Sequence, residues 1–263
     1  NNTLDISAQF INEADDKNNP IELELKSDEK ELLKDIGDNA GSAFRSTIEQ
    51  DSSGRYILQD SILVYMGENM GTHSATFYNV GKQGRYRKHY TDESVYFEYV
   101  DKADQTISEE ARQEAVYLPA KPLKLPQKQQ QYYFQTDWHP AENINLNSEI
   151  VGSVFDMNTF SSKDDGDNKG LAVNLTGRYE SPKTDYGRVS IEGNFRNENE
   201  RFQPIGRNKT IEYERKWDIG LQNSSKEKVY ESKLKYNFKD NLLLKIGGGN
   251  LSDGYNKTAR TDA

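Results

Sequence analysis

The stretch GLAVNLTGRYE, residues 170–180, alternates apolar and polar side chains and decides the fold class. Its apolar positions are Leu171, Val173, Leu175 and Tyr179, and its polar positions are Asn174, Thr176, Arg178 and Glu180. Successive side chains of a β-strand point to opposite faces of the sheet. A period of two over this length therefore predicts a long strand with one apolar and one polar face.

The same alternation recurs in segments on both sides of this stretch. They are Thr3–Ile11, Gln131–Trp138, Asn143–Phe155, Arg188–Asn197, Thr210–Gln222, Val229–Phe238 and Asn241–Asn250. Strands of soluble proteins usually have ~5–6 residues, whereas a tilted strand across a bilayer needs ~9–11. The segments therefore predict an all-β, antiparallel meander that resembles an outer-membrane β-barrel or part of one. About eight strands are predicted, the smallest number at which such barrels close, and a slice of a larger barrel is an equal alternative.

The predicted connections favour a barrel, because barrels alternate short turns at one end with long loops at the other. The short ones are Trp138–Asn143, Ser181–Gly187 and Asn223–Lys228, and the long ones are Asp156–Lys169 and Asn197–Lys209. The tight turn Lys239-Asp240 breaks this rule, since a long loop is due there. Aromatic residues toward the strand ends are expected to form interfacial girdles. They are Tyr179, Phe195, Tyr213, Trp217, Tyr236 and Phe238.

Residues 12–130 are predicted to be an inserted polar domain between the first strand, residues 1–11, and the meander of residues 131–263. Ser27–Gly37 predicts a short helix that Ser27 caps and Gly37 ends. A degenerate repeat predicts hairpins with Gly-rich turns. Its copies are Gly54-Arg55-Tyr56, Gly71-Thr72-His73 and Gly84-Arg85-Tyr86. Prolines at 119, 122 and 126 mark an extended linker that returns to the meander.

The composition suits strands with one apolar and one wet face. Only 33% of the 263 residues are hydrophobic, yet the chain has 16 Tyr, 10 Phe and 2 Trp, and disordered chains are poor in aromatic residues. The net charge of −9 argues against nucleic-acid binding, and the lack of cysteine excludes disulfides and thiolate chemistry. No apolar run is long enough for a transmembrane helix and no signal peptide is visible, so a mature product or a fragment is expected.

Five segments of the chain carry a further pattern: Val80–Tyr86, Leu118–Pro126, Asp156–Asn168, Arg201–Arg207 and Glu212–Trp217. They resemble large, uncharacterised outer-membrane or cell-surface β proteins of Bacteroidota-type bacteria. The resemblance covers most of the chain. It implies a location in the outer envelope and a chain that is part of something longer, and it carries over no activity.

The acidic loop that follows Phe155 is the best candidate for a cation site. Calcium binds six to eight hard oxygen ligands, and this loop offers such oxygens at close spacing, although it lacks the full EF-hand pattern. The predicted ligands are Asp156, Asn158, Asp164, Asp165, Asp167 and Asn168. The alternative is a solvated polar loop, and no cofactor other than this calcium ion is predicted.

Tyrosines of the repeat region are the second candidate site. A platform for a glycan or a protein partner is predicted from the side chains of Tyr65, Tyr78, Tyr86 and Tyr96. The alternative is that these rings pair across strands and form the small core of the inserted domain.

The sequence favours a role without catalysis. It has no Gly-x-Ser-x-Gly elbow, phosphate-binding loop or dinucleotide fingerprint, and Asp and Glu are too abundant for one carboxylate pair of a secreted hydrolase to stand out. The leading hypothesis is a β-barrel component of a bacterial outer membrane or cell surface with a structural, transport or surface-assembly role. Its expected partners are outer-membrane lipid, and other envelope proteins or surface glycans. The apolar side chains expected to meet lipid include Ile211, Tyr213, Trp217, Ile219 and Leu221. The alternative is a soluble secreted β-sheet adhesin or a glycan- or protein-binding module.

Overall fold

The protein is predominantly β, with 53% of its residues in strands and 12% in helices, as the alternation predicts. The computed structural model describes residues 2–18, 25–91, 94–206, 209, 213–218, 226–238 and 242–262. The chain divides into two compact units, one of Asn1–Pro20 with Pro126–Ala263 and one of Ile21–Leu125. None of the helices in the described ranges has the length and apolar character needed to cross a membrane.

Strands make up most of the regular structure. In chain order they are β1 Thr3–Ala14, β2 Phe44–Ser46, β3 Glu49–Gln50, β4 Tyr56–Gln59, β5 Ile62–Tyr65, β6 His73–Ser74, β7 Tyr78–Asn79, β8 Tyr86–Tyr90, β9 Val95–Tyr99, β10 Tyr117–Leu118, β11 Ala120–Pro122, β12 Lys128–Ala141, β13 Ile144–Asp156, β14 Lys169–Glu180, β15 Arg188–Glu198, β16 Glu227–Phe238, β17 Leu242–Ser252 and β18 Lys257–Asp262. The helices are α1 Ser27–Asp35, α2 Glu109–Glu114 and α3 Tyr213–Trp217, and single 3-10 turns lie at Ala40–Ser42, Gly81–Gln83 and Asp165–Asp167.

The first unit is one eight-stranded antiparallel sheet with the strand order β1-β12-β13-β14-β15-β16-β17-β18. Apart from the step from β1 to β12, every strand pairs with the next strand along the chain, so the sheet is a meander. The strands from β12 to β17 have 11 to 14 residues each. Among the described residues no ladder joins β1 to β18.

The connection between β15 and β16 corrects the predicted strand at Thr210–Gln222. Its residues 213–217 form the helix α3, in which Tyr213 and Trp217 are buried, and the other positions of that segment lie outside the described residues. Residues four apart share a face both in a strand and over one turn of a helix, so the sequence pattern of Tyr213 and Trp217 fits either structure. Glu227 and Lys228 of the predicted turn Asn223–Lys228 belong to β16, and residues 223–225 lie outside the described residues.

This correction also restores the alternation of short and long connections. Four connections leave the same end of the sheet: the link from β1 to β12, residues 157–168, the connection from β15 to β16 and the turn 253–256. At the opposite end, Glu142 and Asn143 join β12 to β13, residues 181–187 join β14 to β15, and three residues separate β16 from β17. The predicted turn at Lys239-Asp240, which lies outside the described residues, therefore falls in the link at the short-turn end. The number of strands remains eight because β18, which shows no clear alternation, takes the place of the segment that is not a strand.

The inserted unit contains a structural duplication. Its two four-stranded sheets have the orders β3-β6-β4-β5 and β7-β10-β8-β9, so four consecutive strands adopt the order first, fourth, second, third in both. The second strand of each sheet begins with a buried tyrosine, Tyr56 in one and Tyr86 in the other. The Tyr86 hydroxyl accepts a hydrogen bond from the backbone N–H of Leu63 (2.9 Å), and the Tyr56 hydroxyl accepts one from Phe97 (3.0 Å). The two repeats therefore join in one core through reciprocal contacts.

The glycine triplets mark this duplication in two copies, which corrects the three predicted from the sequence. Gly54 and Gly84 occupy equivalent positions two residues before the buried tyrosines, whereas Gly71 precedes the last strand of the first repeat. A Cβ atom at Gly54 would lie 2.3 Å from the carbonyl oxygen of His73, and one at Gly71 would lie 2.3 Å from that of Tyr56. The glycines thus permit a close approach of two backbones, which no larger residue would allow.

The helix α1 forms where the sequence predicts it, with a different cap. Ser27 is its first helical residue and Lys26 is the N-cap, whose backbone N–H donates to the Glu29 carboxylate (2.8 Å). The carboxylate in the first turn replaces the predicted serine cap. Gly37, with φ of 62°, follows the helix end and adopts the left-handed conformation that favours glycine.

Candidate functional site

One face of the eight-stranded sheet, called the apolar face below, is covered with exposed large apolar side chains. They are Leu4, Ile6 and Phe10 on β1, Tyr132, Phe134 and Trp138 on β12, Leu146 and Ile150 on β13, Leu171, Leu175 and Tyr179 on β14, Ile191 on β15, Tyr230, Leu234 and Phe238 on β16, and Leu242, Leu244 and Ile246 on β17. The strand register places them beside one another: Phe134 pairs with Ile150, and Ile191 pairs with Leu234. The apolar face is therefore continuous across seven strands.

Aromatic pairs between neighbouring strands reinforce this face. The rings of Phe10 and Tyr132 on neighbouring strands have centroids 4.9 Å apart, and those of Phe195 and Tyr230 are 5.0 Å apart. At the short-turn end, the Trp138 indole N–H donates to the side-chain oxygen of Asn2 (3.0 Å). Such rings have an apolar body and, in Tyr and Trp, a polar tip, which suits an apolar surface that ends at water. Of the predicted girdle, Tyr213 and Trp217 are excluded, because both are buried on the other side of the sheet.

The opposite face, called the polar face below, has polar side chains joined across strands. The Asn194 amide donates to Asn174 (2.8 Å) and to the Thr176 hydroxyl (2.9 Å). These contacts are the expected way to satisfy polar groups on a partly buried sheet surface.

At the long-loop end the polar face is covered by the described residues of the loop 199–218, called the covering segment. Phe202 and Trp217 of this segment are buried, and Trp217 clusters with Val229 and Leu251 of the sheet. A Cβ atom at Gly249 would lie 2.8 Å from the Trp217 ring, so the sheet leaves room for the indole at that position. The small core of this unit therefore lies on the polar face, at one end.

A buried carboxylate holds the covering segment in place. Glu227, which is 2% exposed, accepts a hydrogen bond from the Tyr213 hydroxyl (2.5 Å) and an ion pair from the Lys209 ammonium (2.7 Å). Burial raises the pKa of Tyr213, and the adjacent Glu227 carboxylate raises it further. The Arg196 guanidinium bonds Glu198 and lies 5.6 Å from the centre of the Tyr213 ring. A buried charge of this kind is stable only when it is paired, and these contacts supply the pairing.

The exposure of the two faces is thus the reverse of that in a soluble antiparallel sheet. An antiparallel sheet in water usually buries its apolar face against a core and exposes its polar face. Here the apolar face is exposed, and the polar face is the one that carries the covering segment. Isolated exposed apolar side chains are normal, but soluble monomers rarely expose a contiguous apolar patch larger than a few hundred Å².

The predicted calcium ligands bond to the backbone of their own loop and to one another in the structure. The Asp156 carboxylate accepts from the backbone N–H of Asn158 (2.9 Å), and the buried side chain of Asn158 accepts from Phe160 (3.2 Å). Asn168 donates to Asp165 (3.1 Å), while Asp164, Asp165 and Asp167 are exposed. In the part of the chain that the structure describes, no three acidic or histidine side chains share a position that could hold a metal ion. The calcium site stays a prediction.

The structure brings two of the four predicted platform tyrosines together. Tyr65 and Tyr96 stack with their ring centroids 4.4 Å apart, and His89 stacks on Tyr96 at 4.9 Å. Tyr78 lies on β7, away from the strands β5 and β9 that carry the stacked pair. Tyr86 is 4% exposed in the core, so its ring is not available to a partner. His89 is not among the predicted platform residues, and the strand register pairs it directly with Tyr96.

Comparison with known proteins adds no relative. No family model, curated protein or solved structure matches this chain. The resemblance to outer-envelope β proteins therefore stays a prediction, and the geometry of the two faces is the basis for a functional proposal.

Proposed function

We propose that the eight-stranded sheet is a wall of an outer-membrane β-barrel whose apolar face meets lipid and whose polar face lines the lumen. The observation that carries the proposal is the reversal of the two faces, in which the apolar face is exposed over seven strands. A lipid-facing barrel wall needs this arrangement, because hydrocarbon is the solvent outside and water is the solvent inside.

The strand lengths are compatible with a bilayer. Eleven residues, the length of β15 and β17, extend ~36 Å at ~3.3 Å per residue. A tilt of ~40° projects this to ~28 Å, close to the ~25 Å height of the apolar band of such barrels. The strands of 11 to 14 residues are longer than the ~5–6 residues usual in soluble sheets.

The role that follows is structural, or in transport or surface assembly, at the outer membrane, with lipid as the main partner. The proposal assigns no catalytic residues. The soluble adhesin alternative needs a second layer over the apolar face, and the side chains of that face are exposed among the described residues.

The two tryptophans provide the test, because they lie on opposite faces. Trp138 is on the apolar face and is 41% exposed, whereas Trp217 is fully buried on the polar face. In the Trp217→Phe variant Trp138 is the single tryptophan, and in the Trp138→Phe variant Trp217 is the single tryptophan, so indole emission excited selectively over tyrosine reports on one position. Each full-length variant would be folded into vesicles whose acyl chains carry bromine, a contact quencher of indole fluorescence.

We expect strong quenching in Trp217→Phe and little in Trp138→Phe. Quenching of Trp138 should be strongest with bromine near the headgroups, because Trp138 lies close to a strand end. Circular dichroism with and without detergent serves as the control for folding. Equal quenching in both variants, or a well-folded monomer in plain buffer that does not associate with vesicles, would refute the proposal.

A further inference from the structure

Charge is unevenly distributed over the polar face. On β1, β12 and β13 this face has carboxylates and no lysine or arginine; the carboxylates are those of Asp5, Glu13, Asp137 and Glu149. On β14 to β17 the same face has several cations, which are Arg178, Arg188, Arg196, Lys233, Lys235 and Lys245. The polar face therefore has an acidic side and a basic side.

Every carboxylate on the basic side already has a cationic partner. The pairs are Glu180 with Arg188 (2.8 Å), Glu192 with Lys233 (3.7 Å), Glu198 with Arg196, Glu227 with Lys209 (2.7 Å) and Glu231 with Lys216 (2.6 Å). In contrast, no described carboxylate lies within ion-pair distance of Arg178, Lys235 or Lys245. Arg178 stands opposite Glu192 in the ladder, but the Glu192 carboxylate is directed to Lys233.

The unpaired cations are close to one another. Lys235 and Lys245 are direct cross-strand partners on the same face, an arrangement of like charges that destabilises a sheet. Lys235 lines a cavity of about 320 Å³. Its charged lining consists of Arg178, Lys183, Arg188 and Lys235 with the single carboxylate of Glu180.

We propose that this cavity, called the basic basin, binds an oxyanion such as phosphate or a carboxylate. The planar guanidinium of Arg178 can donate two parallel hydrogen bonds to such a group, and Lys235 supplies a second point charge. A bound anion would also offset the repulsion between Lys235 and Lys245. The proposal concerns the polar face alone and does not depend on lipid contact by the apolar face.

The test measures binding of inorganic phosphate to the full chain, in the solvent that keeps it folded, by titration calorimetry and by the thermal midpoint. Sodium succinate is the carboxylate probe, and sodium chloride at the same ionic strength controls for screening. We expect phosphate or succinate to raise the midpoint more than chloride does. Arg178→Gln and Lys235→Gln should each weaken binding by about tenfold or more, as the loss of a charge-assisted hydrogen bond implies.

Lys228→Gln is the matched control, because Lys228 is exposed on the same strand as Lys235 but points to the other face. It should bind the anion as the wild type does. Without added anion, Lys235→Gln should have an unchanged or higher thermal midpoint than the wild type, since it relieves the repulsion with Lys245. That result would show that weaker anion binding by Lys235→Gln comes from loss of the site and not from loss of folding.

Two results would overturn the proposal. One is a midpoint that rises no more with phosphate and succinate than with chloride, which would mean screening only. The other is wild-type anion affinity in both Arg178→Gln and Lys235→Gln. Neither result would affect the quenching of Trp138, so the proposed anion site and the proposed barrel wall are tested independently.

Discussion

Replacing Tyr86 by phenylalanine removes one oxygen atom from the core of the inserted unit and leaves its shape otherwise unchanged. The Tyr86 hydroxyl accepts a hydrogen bond of 2.9 Å from the backbone N–H of Leu63, a residue with no exposed surface. Since phenylalanine offers no acceptor, this N–H would be buried without a partner. The equivalent substitution Tyr56→Phe would do the same to the backbone N–H of Phe97, which is only partly buried.

The expected cost follows from burial at the two sites. A buried donor without a partner costs ~1–3 kcal/mol. Water cannot replace the hydroxyl beside Leu63, so we expect ~2–3 kcal/mol for Tyr86→Phe, and ~1 kcal/mol for Tyr56→Phe, where the N–H is more accessible. Tyr65→Phe is the control, because the Tyr65 hydroxyl has no hydrogen-bond partner among the described residues, and its cost should lie within ~0.5 kcal/mol of zero.

Hydrogen exchange resolved to single amides in the full-length chain measures this directly. A cost of ~2–3 kcal/mol corresponds to about 30- to 150-fold faster exchange at the Leu63 amide in Tyr86→Phe. In Tyr65→Phe that amide should exchange at the wild-type rate. Unchanged protection of Leu63 in Tyr86→Phe, or equal acceleration by Tyr65→Phe, would show that the reciprocal contacts do not hold the two repeats together.

Three further outcomes follow from the two units. Phe134→Arg places a charge on the apolar face and should lower the free energy of unfolding in vesicles by ~2–4 kcal/mol. Gln135→Arg, at the neighbouring position on the polar face, should lower it by ~0–1 kcal/mol. Urea midpoints that do not differ between the two variants would contradict the lipid-facing assignment. Gly84→Ala would put a Cβ atom 2.0 Å from a backbone carbon of another segment, so proteolysis should reach the inserted unit sooner than in the wild type, and equal resistance would disprove the close approach. Partial burial alone would raise the pKa of Glu98, but hydrogen bonds from β8 outweigh it and lower the pKa below the ordinary 4.5. The wild type should therefore be more stable than Glu98→Gln at about pH 6, and this difference should be lost toward about pH 3. A difference between their thermal midpoints that does not change with pH would contradict this.

The strands of the first unit could be predicted because their signal is local. In β14 and its neighbours the period of two repeats over the whole strand, and the alternation of side chains between the two faces of one strand does not depend on where its neighbours lie. The segment 213–217 was predicted wrongly because its two large aromatic residues are four apart, a spacing that a strand and a helix both satisfy. Conversely, β18 was missed because Lys257–Asp262 has polar residues on both faces and thus no alternation to detect.

The candidate sites also divide into those with a local signal in the sequence and those that only the tertiary structure reveals. The acidic loop and the tyrosines were selected because their residue types stand close together in the sequence, and of the four predicted tyrosines the structure stacks Tyr65 on Tyr96. The basic basin has no such local signal, because Arg178 and Lys235 come from strands that are not neighbours in the sheet. Its lysine pair is recognisable only once the register between β16 and β17 is known.

The sequence by itself determined that the chain is β, that its strands are long, and that each strand has one apolar and one polar side, since these properties depend on the order of residues along a single strand. Only the tertiary structure decided which face is covered, because burial depends on residues distant along the chain: the covering segment packs Trp217 against Val229 and Leu251 on the polar face. It also decided that the inserted unit is a duplication, since reciprocal hydrogen bonds between Tyr86 and Leu63 and between Tyr56 and Phe97 join residues that no sequence period connects.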